Sequence, residues 1–439
     1  IVMPLYEDIP QSLREEMRFI TSLSVPVSWR RQYCGVFEAR YGGVIYYLLD
    51  NQYYFKRKGL YGHYDDAERF AFLSRAALEM LPYIDFKPDI IHCNDWQTGP
   101  VCMYLKEIYR KMIYYSRIKT LFTIHNLQYQ GNFDKSTMEL LGVPYYCYEN
   151  GNVEFYGNVS YMKMGLMYAD RISTVSQTYA KEIQTWQYGY GMDGILKSRK
   201  NVLSGIINGI DYVTNDPATD KRIQVHFDAD HLEGKAENKR LLQERLGLEQ
   251  RDVPIIGMIT RLADQKGLDI LSYVFDEMMC RDVQFVLLGT GENRFEYLFR
   301  SMEERYRGRV SANIFFDENL AQQIYAGSDM FLMPSLFEPC GLGQMFALRY
   351  GTVPIVRKTG GLADTIFQYS TETKEGNGFL FETYDGNGLL WALDQALAVY
   401  HQGKDEWQNV VKNAMASNYS WESSAREYIK LYESLRDGE

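Results

Sequence analysis

The chain alternates short apolar runs with segments of helical periodicity, and each apolar run ends in glycine or polar residues. Apolar residues occupy both faces of these runs, which is typical of parallel-sheet strands covered on both sides by helices. Strands that alternate with helices form βαβ units with right-handed crossovers, so the pattern predicts an α/β fold. The predicted strands lie within residues 87–96, 118–127, 170–183, 252–262, 282–292, 311–318, 328–341 and 351–361.

One segment, residues 203–220, interrupts this alternation. It is rich in glycine, asparagine, aspartate and proline, which is typical of a connection between domains. The sequence therefore predicts two doubly wound parallel-sheet (Rossmann-like) domains, 1–205 and 206–420, and an amphipathic helix in 421–439 that packs back on the first domain. Ligands of open α/β sheets bind beyond the carboxyl ends of the strands, so we expect the chemistry in a cleft between the two domains. The predicted inward positions of the last helix are Ala425, Tyr428, Leu431, Tyr432 and Leu435.

The composition is that of a folded protein without a polyanionic or membrane partner. Of the 439 residues, 46% are hydrophobic and 24% are charged, and the net charge is −10. Duplex nucleic acid and anionic membranes attract chains dense in lysine and arginine, so we expect neither as a partner. No apolar run reaches the length of about 18 residues that a membrane span needs. The six cysteines form no CxxC pair and have no histidine at zinc spacing, so we expect reduced thiols, a cytoplasmic protein and no metal.

Two cations follow one of the predicted strands of the second domain. Arg261 and Lys266 are five residues apart in a loop, and Gly267 precedes a predicted helix. Cations beside a helix N-terminus are typical of a phosphate site, although a solvated loop with two surface charges has the same pattern. Gly289 and Gly291 follow the next strand and would allow a ligand to approach the backbone, but short turns often share this spacing.

A carboxylate follows another strand of the same domain. Glu338 stands between an apolar strand and the glycine-rich start of a helix, where a carboxylate can accept hydrogen bonds from sugar hydroxyls. The alternative interpretation is an acidic residue in the first turn of a helix, where it stabilises the helix dipole. Residues 358–361 form a second glycine-rich turn, Lys-Thr-Gly-Gly, before the following helix.

The first domain offers a histidine and a carboxylate with a tryptophan. His125 stands at a strand end and could donate a hydrogen bond to a sugar hydroxyl or to an oxygen that gains charge, or it could be a structural histidine in a turn. Asp95 and Trp96 are adjacent, and a carboxylate beside a flat apolar ring suits a pyranose. A helix N-cap with a packed tryptophan has the same sequence pattern.

Taken together, these segments resemble the bacterial glycogen synthases and plant starch synthases, which are retaining glycosyltransferases of the GT-B fold. The resemblance covers nearly the whole chain, and its most specific part is FEPCGLGQMFALRYGTVPIVRKTGGLADT at 337–365. Its other motifs include HCNDWQTG at 92–99, TIHNLQYQG at 123–131 and TRLADQKGLDIL at 260–271.

The resemblance implies a role for each candidate residue. Arg261 and Lys266 match the pair that holds the nucleotide-sugar diphosphate, and Glu338 matches the acid that binds the donor glucose. His125 matches the histidine that contacts the glucose 6-hydroxyl. The remaining predicted donor contacts are Asn208, Gly289, Gly291, Cys340, Gly341, Leu342, Thr359 and Gly360, and the predicted acceptor contacts are Tyr61, Asp95 and Trp96.

The implied reaction transfers glucose from ADP-glucose to the non-reducing end of an α-1,4-glucan with retention of configuration. The resemblance suggests front-face attack, in which the leaving phosphate accepts the proton of the acceptor. The cations would then do what a metal does in other enzymes, so neither a metal nor any further cofactor is expected. The expected partners are the nucleotide-sugar donor and the glucan acceptor, and a homo-oligomer is possible.

Two departures from the family pattern bear on this interpretation. The broader GT-B pattern has a second glutamate where this chain has Phe346, and glycogen synthases carry an aromatic residue there. Family members also begin with a strand and a Lys-x-Gly-Gly-Leu loop, whereas this chain opens at IVMPLY, which resembles their second strand. We expect a fragment or a late start rather than a degenerate synthase.

Three other functions share parts of the pattern. A glycan-binding or regulatory protein with an impaired donor site would keep the same motifs. Another GT-B transferase would be expected to carry the second glutamate, and a phosphorylase would need a lysine that binds pyridoxal phosphate.

Overall fold

The structure is a computed structural model that describes residues 1–438. The chain divides into two compact units. The first unit contains residues 1–174, 181–204 and the part of the last helix from Ile429 onward. The second unit contains residues 175–180 and 205–428. The predicted connection at 203–220 therefore contains the point, after Ser204, at which the chain passes into the second unit.

The first unit contains three separate sheets. In the first, β1 is parallel to β4, and β2, β3 and β4 form an antiparallel meander in the order β1-β4-β3-β2. The second has the order β11-β10-β6-β5, with β5, β6 and β10 parallel, and the third is a small sheet of β7, β9 and β8. The strands are β1 (Val2–Pro4), β2 (Arg18–Val27), β3 (Arg30–Tyr41), β4 (Val44–Asp50), β5 (Ile90–Asn94), β6 (Lys119–Ile124), β7 (Asn132–Phe133), β8 (Glu154–Phe155), β9 (Asn158–Ser160), β10 (Arg171–Thr174) and β11 (Leu203–Gly205).

The predicted strands of this half form as β5, β6 and β10, whereas the antiparallel meander is an addition to the predicted doubly wound sheet. Polar residues alternate with apolar ones along β2, which is buried on one face at most, so it lacks the continuous apolar run that marks a parallel strand. The helices of this half are α1 (Gln11–Glu15), α2 (Gln52–Phe55), α3 (Asp66–Glu79), α4 (Gly99–Tyr104), α5 (Thr137–Leu141), α6 (Tyr146–Glu149), α7 (Tyr161–Tyr168) and α9 (Asp193–Ser198), with a π-helical turn at Leu105–Tyr109 and 3₁₀ turns at Leu81–Tyr83, Trp96–Thr98 and Lys200–Val202. The helix α8 (Gln177–Glu182) begins in the segment 175–180 of the second unit and ends in the first.

The second unit is built on one six-stranded sheet in which every pair of neighbours is parallel. The strand order is β14-β13-β12-β15-β16-β17, so the chain builds outward from β12 in one direction and from β15 in the other. The boundary between β12 and β15 is therefore the topological switch point, where ligands of open α/β sheets bind. The strands are β12 (Ile255–Ile259), β13 (Gln284–Leu288), β14 (Val310–Asn313), β15 (Met330–Met333), β16 (Val353–Arg357) and β17 (Phe379–Phe381).

Helices cover both faces of this sheet, as its buried strands require. One layer packs around Phe275, Phe285 and Phe299, and a smaller cluster around Ile255, Val286 and Ile324 lies elsewhere in the core. The helices are α10 (Glu233–Arg245), α11 (Leu268–Met279), α12 (Asn293–Arg305), α13 (Glu318–Gly327), α14 (Gly343–Arg349), α15 (Gly360–Thr365), α16 (Gly386–Gln402), α17 (Lys404–Ala416) and α18 (Trp421–Asp437), with a 3₁₀ turn at Asp264–Lys266.

The last helix, α18, ends in the first unit. Its second half, from Ile429 onward, is grouped with that unit, and the Tyr432 hydroxyl lies 2.7 Å from Nδ1 of His92 at β5. Leu435 is buried as predicted, but Ala425 is exposed and Ser424 is buried in its place, so the apolar face begins one residue earlier than the spacing indicated. No helix within residues 1–438 has the length and apolar character that crossing a bilayer requires.

Candidate active site

The loops after β12 and β15 bring together a lysine and a glutamate. Nζ of Lys266 lies 2.7 Å from Oε2 and 3.0 Å from Oε1 of Glu338. The two residues are 72 positions apart in the sequence, but their strands are neighbours at the switch point. Of the four residues predicted to be catalytic, Arg261, Lys266, Glu338 and His125, the structure thus brings Lys266 and Glu338 together at the edge of the sheet where a ligand is expected.

The backbone holds these two loops against each other. Gly267 has φ +70°, and a Cβ at this position would lie 2.0 Å from the carbonyl oxygen of Pro334. The Gln265 side chain donates to the Phe337 carbonyl at 3.1 Å, and the backbone N–H of Leu336 donates to the Gln265 carbonyl at 2.9 Å. Sequence reasoning singled out Lys266 but missed Gln265, because nothing in a sequence motif indicates which carbonyl a glutamine will meet.

Glu338 is a sequestered carboxylate. Its residue exposure is 6%, and Ser335 donates a hydrogen bond from Oγ to Oε2 at 2.9 Å. With Lys266 this gives the carboxylate two donors, which satisfies the requirement that a buried charge be paired. Glu338 precedes α14 by five residues and is not its N-cap, so the alternative interpretation as a first-turn acid is not supported. Ser335 is a further site residue that the sequence analysis did not identify.

Arg261 behaves differently from Lys266. It is exposed, and its guanidinium makes no hydrogen bond or ion pair with any residue in 1–438. Only its backbone carbonyl is engaged, by the N–H of Ala263 at 3.0 Å and by the hydroxyl of Thr260 at 3.3 Å. The structure therefore leaves this cation in solvent, where an anion can reach it.

The loop between Glu338 and α14 contains three of the predicted donor contacts. Cys340 is buried, and burial raises the pKa of its thiol to about 12, so the sulfur stays protonated at neutral pH. The backbone N–H of Asn208 donates to that sulfur, which places the predicted contact Asn208 beside the loop. The Gln344 amide donates to the carbonyls of Cys340 at 3.1 Å and Gly341 at 3.0 Å, and Leu342 is 42% exposed.

The glycine-rich turn after β16 packs directly on the Glu338 loop. Gly360 has φ +46°, and a Cβ there would lie 1.9 Å from the carbonyl oxygen of Glu338. The backbone N–H of Gly361 donates to that same carbonyl at 3.0 Å. Thr359 is buried, so this turn supports the loop that holds the carboxylate.

Packing against the neighbouring loop requires glycine at positions 289 and 291, after β13. A Cβ on Gly289 would lie 1.8 Å from the carbonyl oxygen of Thr260, and one on Gly291 would lie 2.2 Å from that of Leu262. The N–H of Leu262 also donates to the Thr290 carbonyl at 2.9 Å. The close approach that these glycines permit is therefore to the Arg261 loop, and donor contact by Gly289 and Gly291 stays a prediction.

In the first unit, His125 and Asp95 lie at neighbouring strand ends. The backbone N–H of His125 donates to Oδ1 of Asp95 at 2.8 Å, and its Nε2 lies 2.9 Å from Oδ1 of Asn94. Burial raises the pKa of the Asp95 carboxyl, while the His125 charge and the backbone N–H groups of His125 and Asn126 oppose that rise. Asp95 has φ +57° and makes no side-chain cap to the turn that follows, so its carboxylate serves the His125 loop and not a helix N-terminus.

Trp96 does not present the face of its ring to solvent, and its contact with the acceptor stays a prediction. The residue is 7% exposed, and its ring contacts Phe70 and Phe133 at centroid distances of 5.1 and 5.7 Å. A Cβ on Gly131 would lie 2.3 Å from the ring, so the backbone of that glycine rests directly on it. Tyr61 is 55% exposed and meets Trp96 edge-on at 6.5 Å, so Trp96 supports an exposed tyrosine instead of offering its own face.

An exposed aromatic ring near the end of β14 was also missed. Phe316 is 83% exposed, three residues after the last residue of that strand. β14 is the neighbour of β13, whose end carries Gly289. The sequence could have indicated this residue, because polar residues predominate after the ends of strands and an aromatic residue there is unusual.

The site offers charges for an anion and a carboxylate for hydroxyl groups. Lys266 and Arg261 are cations at the switch point, and Glu338 is an acceptor held in place beside one of them. Within residues 1–438 there is no group of three or more histidine, cysteine, aspartate or glutamate side chains that could hold a metal ion. The arrangement can bind a molecule that joins a phosphate group to a hydroxyl-rich group.

Comparison with known proteins gives this site a family. The profile described as "Starch synthase catalytic domain" matches residues 1–198, and the profile "Glycosyl transferases group 1" matches residues 243–414. A glycogen synthase of Clostridioides difficile (strain 630) is 49% identical over 443 residues, which is 100% of this chain and 92% of that protein. A glycogen synthase of Geobacillus stearothermophilus is 51% identical over 437 residues, which is 99% of this chain and 90% of that protein.

A solved structure agrees with the sequence comparisons. The catalytic domain of starch synthase IV from Arabidopsis thaliana, bound to ADP and acarbose, has a TM-score of 0.92 and 34% identity, and covers 100% of this chain and 92% of that one. This likeness confirms the predicted α/β fold class of GT-B architecture. With close relatives over nearly its whole length, the chain belongs to the glycogen and starch synthase family of glycosyltransferases.

Proposed function

We propose that the protein transfers glucose from ADP-glucose to the non-reducing end of an α-1,4-glucan, with retention of configuration. The observation that carries the proposal is the Lys266–Glu338 pair at the switch point, where a phosphate-binding cation adjoins a sequestered acceptor of hydroxyl groups. The starch synthase IV domain with TM-score 0.92 was solved with ADP and acarbose, which supports an ADP-linked donor and a glucan acceptor here.

Cleavage of the donor places negative charge on the departing diphosphate. In the proposed mechanism Lys266 and Arg261 stabilise that charge, and each preorganised donor of this kind typically lowers a barrier by about 2.7–4 kcal/mol. Lys266 is already oriented by Glu338, whereas Arg261 is free to turn toward the incoming phosphates. A carboxylate this close to Lys266 keeps the ammonium in place before the donor arrives.

Glu338 and His125 are proposed to orient the donor glucose. The Glu338 carboxylate accepts hydrogen bonds from sugar hydroxyls, and His125 contacts the 6-hydroxyl. No second carboxylate is assigned as a nucleophile, so the leaving phosphate accepts the proton of the acceptor hydroxyl as that hydroxyl attacks. Asp95 is proposed to act by fixing the His125 loop through its hydrogen bond to the backbone N–H of His125.

The adenine of the donor is proposed to stack on Phe316. Its exposed ring follows a strand whose neighbour carries the glycine turn beside Arg261. Stacking of an aromatic base on an aromatic ring contributes typically about 0.5–1.5 kcal/mol beyond the burial of area.

We also propose a cellular compartment for the protein. All six cysteines are free thiols, which supports a reducing, cytoplasmic compartment. A homo-oligomer stays a prediction, and sedimentation velocity would test it.

The deciding experiment supplies radiolabelled ADP-glucose and glycogen and measures label in precipitated polymer. We expect incorporation that unlabelled ADP-glucose competes away more effectively than UDP-glucose, and a product whose new linkages are α by proton NMR. Retention of glycogen on the protein without any incorporation would favour the alternative of a glycan-binding homologue.

A further inference from the structure

A second candidate site lies beside β17, the edge strand of the sheet in the second unit. A groove of about 600 Å³ opens there between β17, the residues that follow it and the first turns of α16. We call it the Trp391 groove. Its lining includes Lys358, Gln368, Glu382, Asn387 and Trp391, and neither Lys266 nor Glu338 is part of it.

Trp391 is an apolar ring on the outward face of its helix. The residues on both sides of it in α16, Leu390 and Ala392, are buried in the core, whereas Trp391 is 54% exposed. The helical pattern places Asp394 and Gln395 on the same exposed face, which is where polar side chains normally lie. Trp391 therefore leaves about half of its large apolar surface in water, and a ligand that covered this surface would gain hydrophobic stabilisation.

Polar groups surround that ring. Lys358 and Glu382 form an ion pair at 2.9 Å, with side-chain exposures of 52% and 77%. The Asn387 side chain is exposed at the start of α16, and Gln368 is exposed across the groove. Carboxylate and amide oxygens accept hydrogen bonds from hydroxyl groups, and the ammonium and amide nitrogens donate them.

We propose that the Trp391 groove binds a segment of the α-1,4-glucan acceptor. The face of a pyranose presents C–H groups that pack on an indole, while its rim carries hydroxyls that need both donors and acceptors, and the groove supplies both. Its volume lies within the range of about 300–1,000 Å³ typical of small-ligand sites. Asp385 adds a second carboxylate to the Lys358–Glu382 ion pair, so the groove carries no net positive charge that would attract an anion, and a neutral glycan fits it better.

This inference rests on the proposed function, since a polymer-extending enzyme gains from a second contact with its polymer. A chain held in the groove raises the local concentration of its neighbouring branches, and such linkage can increase avidity well beyond that of either site. Lys358 directly precedes the turn at Thr359 and Gly360, so the groove begins next to the loop that supports Glu338. The benefit should appear with branched glycogen and vanish with a short oligosaccharide.

The test compares Trp391→Ala with Trp186→Ala, which removes another exposed tryptophan, 84% exposed, outside the groove. Affinity electrophoresis in gels containing glycogen, without donor, gives a dissociation constant for each variant. We expect Trp391→Ala to raise that constant at least threefold and to raise the KM for glycogen similarly. Turnover with maltotriose and ADP-glucose should stay within twofold of wild type, and Trp186→Ala should change none of these values.

A second variant and the incorporation assay on the wild-type protein make the test decisive. Asn387→Ala, a smaller change at an exposed position, should weaken retardation in the same direction if Trp391→Ala fails to fold. Unchanged retardation of both folded variants would overturn the proposed groove. A wild-type protein that is retarded through Trp391 but incorporates no label would instead refute the proposed transferase function and leave the glucan groove standing.

Discussion

The ammonium of Lys266 spans both carboxylate oxygens of Glu338, at 2.7 and 3.0 Å. The side chains are only 16% and 8% exposed, so the pair is largely shielded from water and salt. Removing one partner of such a pair leaves an uncompensated charge, which is more damaging than the pair itself is stabilising. In the proposed complex the donor phosphate would bind a lysine that Glu338 already holds in place.

Lys266→Ala should impair transfer strongly, and thermal unfolding of the variant separates this effect from the destabilisation caused by the unpaired Glu338 carboxylate. Losing one preorganised cation at the leaving group is expected to lower kcat/KM for ADP-glucose about 10²–10³-fold. Initial rates of glucose incorporation measure this, with Lys221→Ala as a control at an exposed lysine. A variant with wild-type kcat/KM would remove Lys266 from the site.

Ser335→Ala should lower activity because the Glu338 carboxylate loses one of the two groups that hold it in position. It removes the 2.9 Å hydrogen bond to Glu338 and leaves Lys266 as the remaining donor. A hydrogen bond to a charged group contributes about 1.5–3 kcal/mol, so kcat/KM should fall roughly 10-fold or more. Glu338→Ala should be more severe in the same assay. Equal activity of Ser335→Ala and wild type would contradict a positioning role for Ser335.

Phe316→Ala should raise the KM for ADP-glucose while leaving kcat nearly unchanged. The ring is proposed to bind the base equally in the ground and transition states, and loss of such binding affects KM alone. About 1 kcal/mol corresponds to a roughly fivefold change. Tyr297→Ala, at a ring 74% exposed on the preceding helix, is the matched control. A fall in kcat without a change in KM would argue against stacking.

Stability should fall in mild acid because of His92. Burial lowers the pKa of His92 to about 4, from an ordinary value of 6.5, where it contacts the hydroxyls of Tyr432 and Thr123. The unfolded chain then binds more protons between pH 6.5 and 4, so the free energy of unfolding decreases as pH falls through that range, by up to about 3 kcal/mol. Urea unfolding at pH 7 and pH 4.5 measures this loss. His92→Gln should be less stable at pH 7 but should show a shallower pH slope, and an unchanged slope would contradict the assignment.

Lys235→Met should destabilise the second unit. Its buried ammonium donates to the carbonyls of Tyr350 at 2.9 Å and Ala326 at 3.0 Å and to Thr352 Oγ1 at 2.8 Å, close to the ends of α13 and α14. Methionine fills similar space but takes this donor away from the carbonyls of Tyr350 and Ala326, at about 1–3 kcal/mol each. Thermal unfolding should show a clear drop in Tm relative to Lys221→Met. A Tm within a degree of wild type would show that the carbonyls find other partners.

Much of the fold follows from one local rule, an apolar run that ends at glycine or a polar residue. This rule located β12, β13, β15 and β16 and the loops with Lys266 and Glu338. It works there because a strand that is buried on both faces must be apolar along its whole length. It missed β2 and β3, whose polar residues reflect a sheet with one open face. It also missed Ser335, since the partner of a serine hydroxyl is decided by packing between distant segments.

Trp96 shows what residue type alone leaves undecided. Carboxylate and indole are adjacent in the sequence, yet the fold buries the ring under Gly131 and directs the carboxylate to the His125 backbone. Tyr61, another of the predicted acceptor contacts, has an exposed ring. Exposure is set by tertiary packing, so adjacent residues of a motif need not serve the same ligand.

The absent Cβ atoms of Gly267 and Gly360 have a consequence for redesigning this enzyme. Each lets one loop rest on a carbonyl of another, Pro334 in the first case and Glu338 in the second, with no room for an added atom. Lengthening one loop would push its neighbour out of register, so altered donor choice should be sought through side-chain exchange on an unchanged backbone. A graft from another transferase would have to carry the three interlocking segments together.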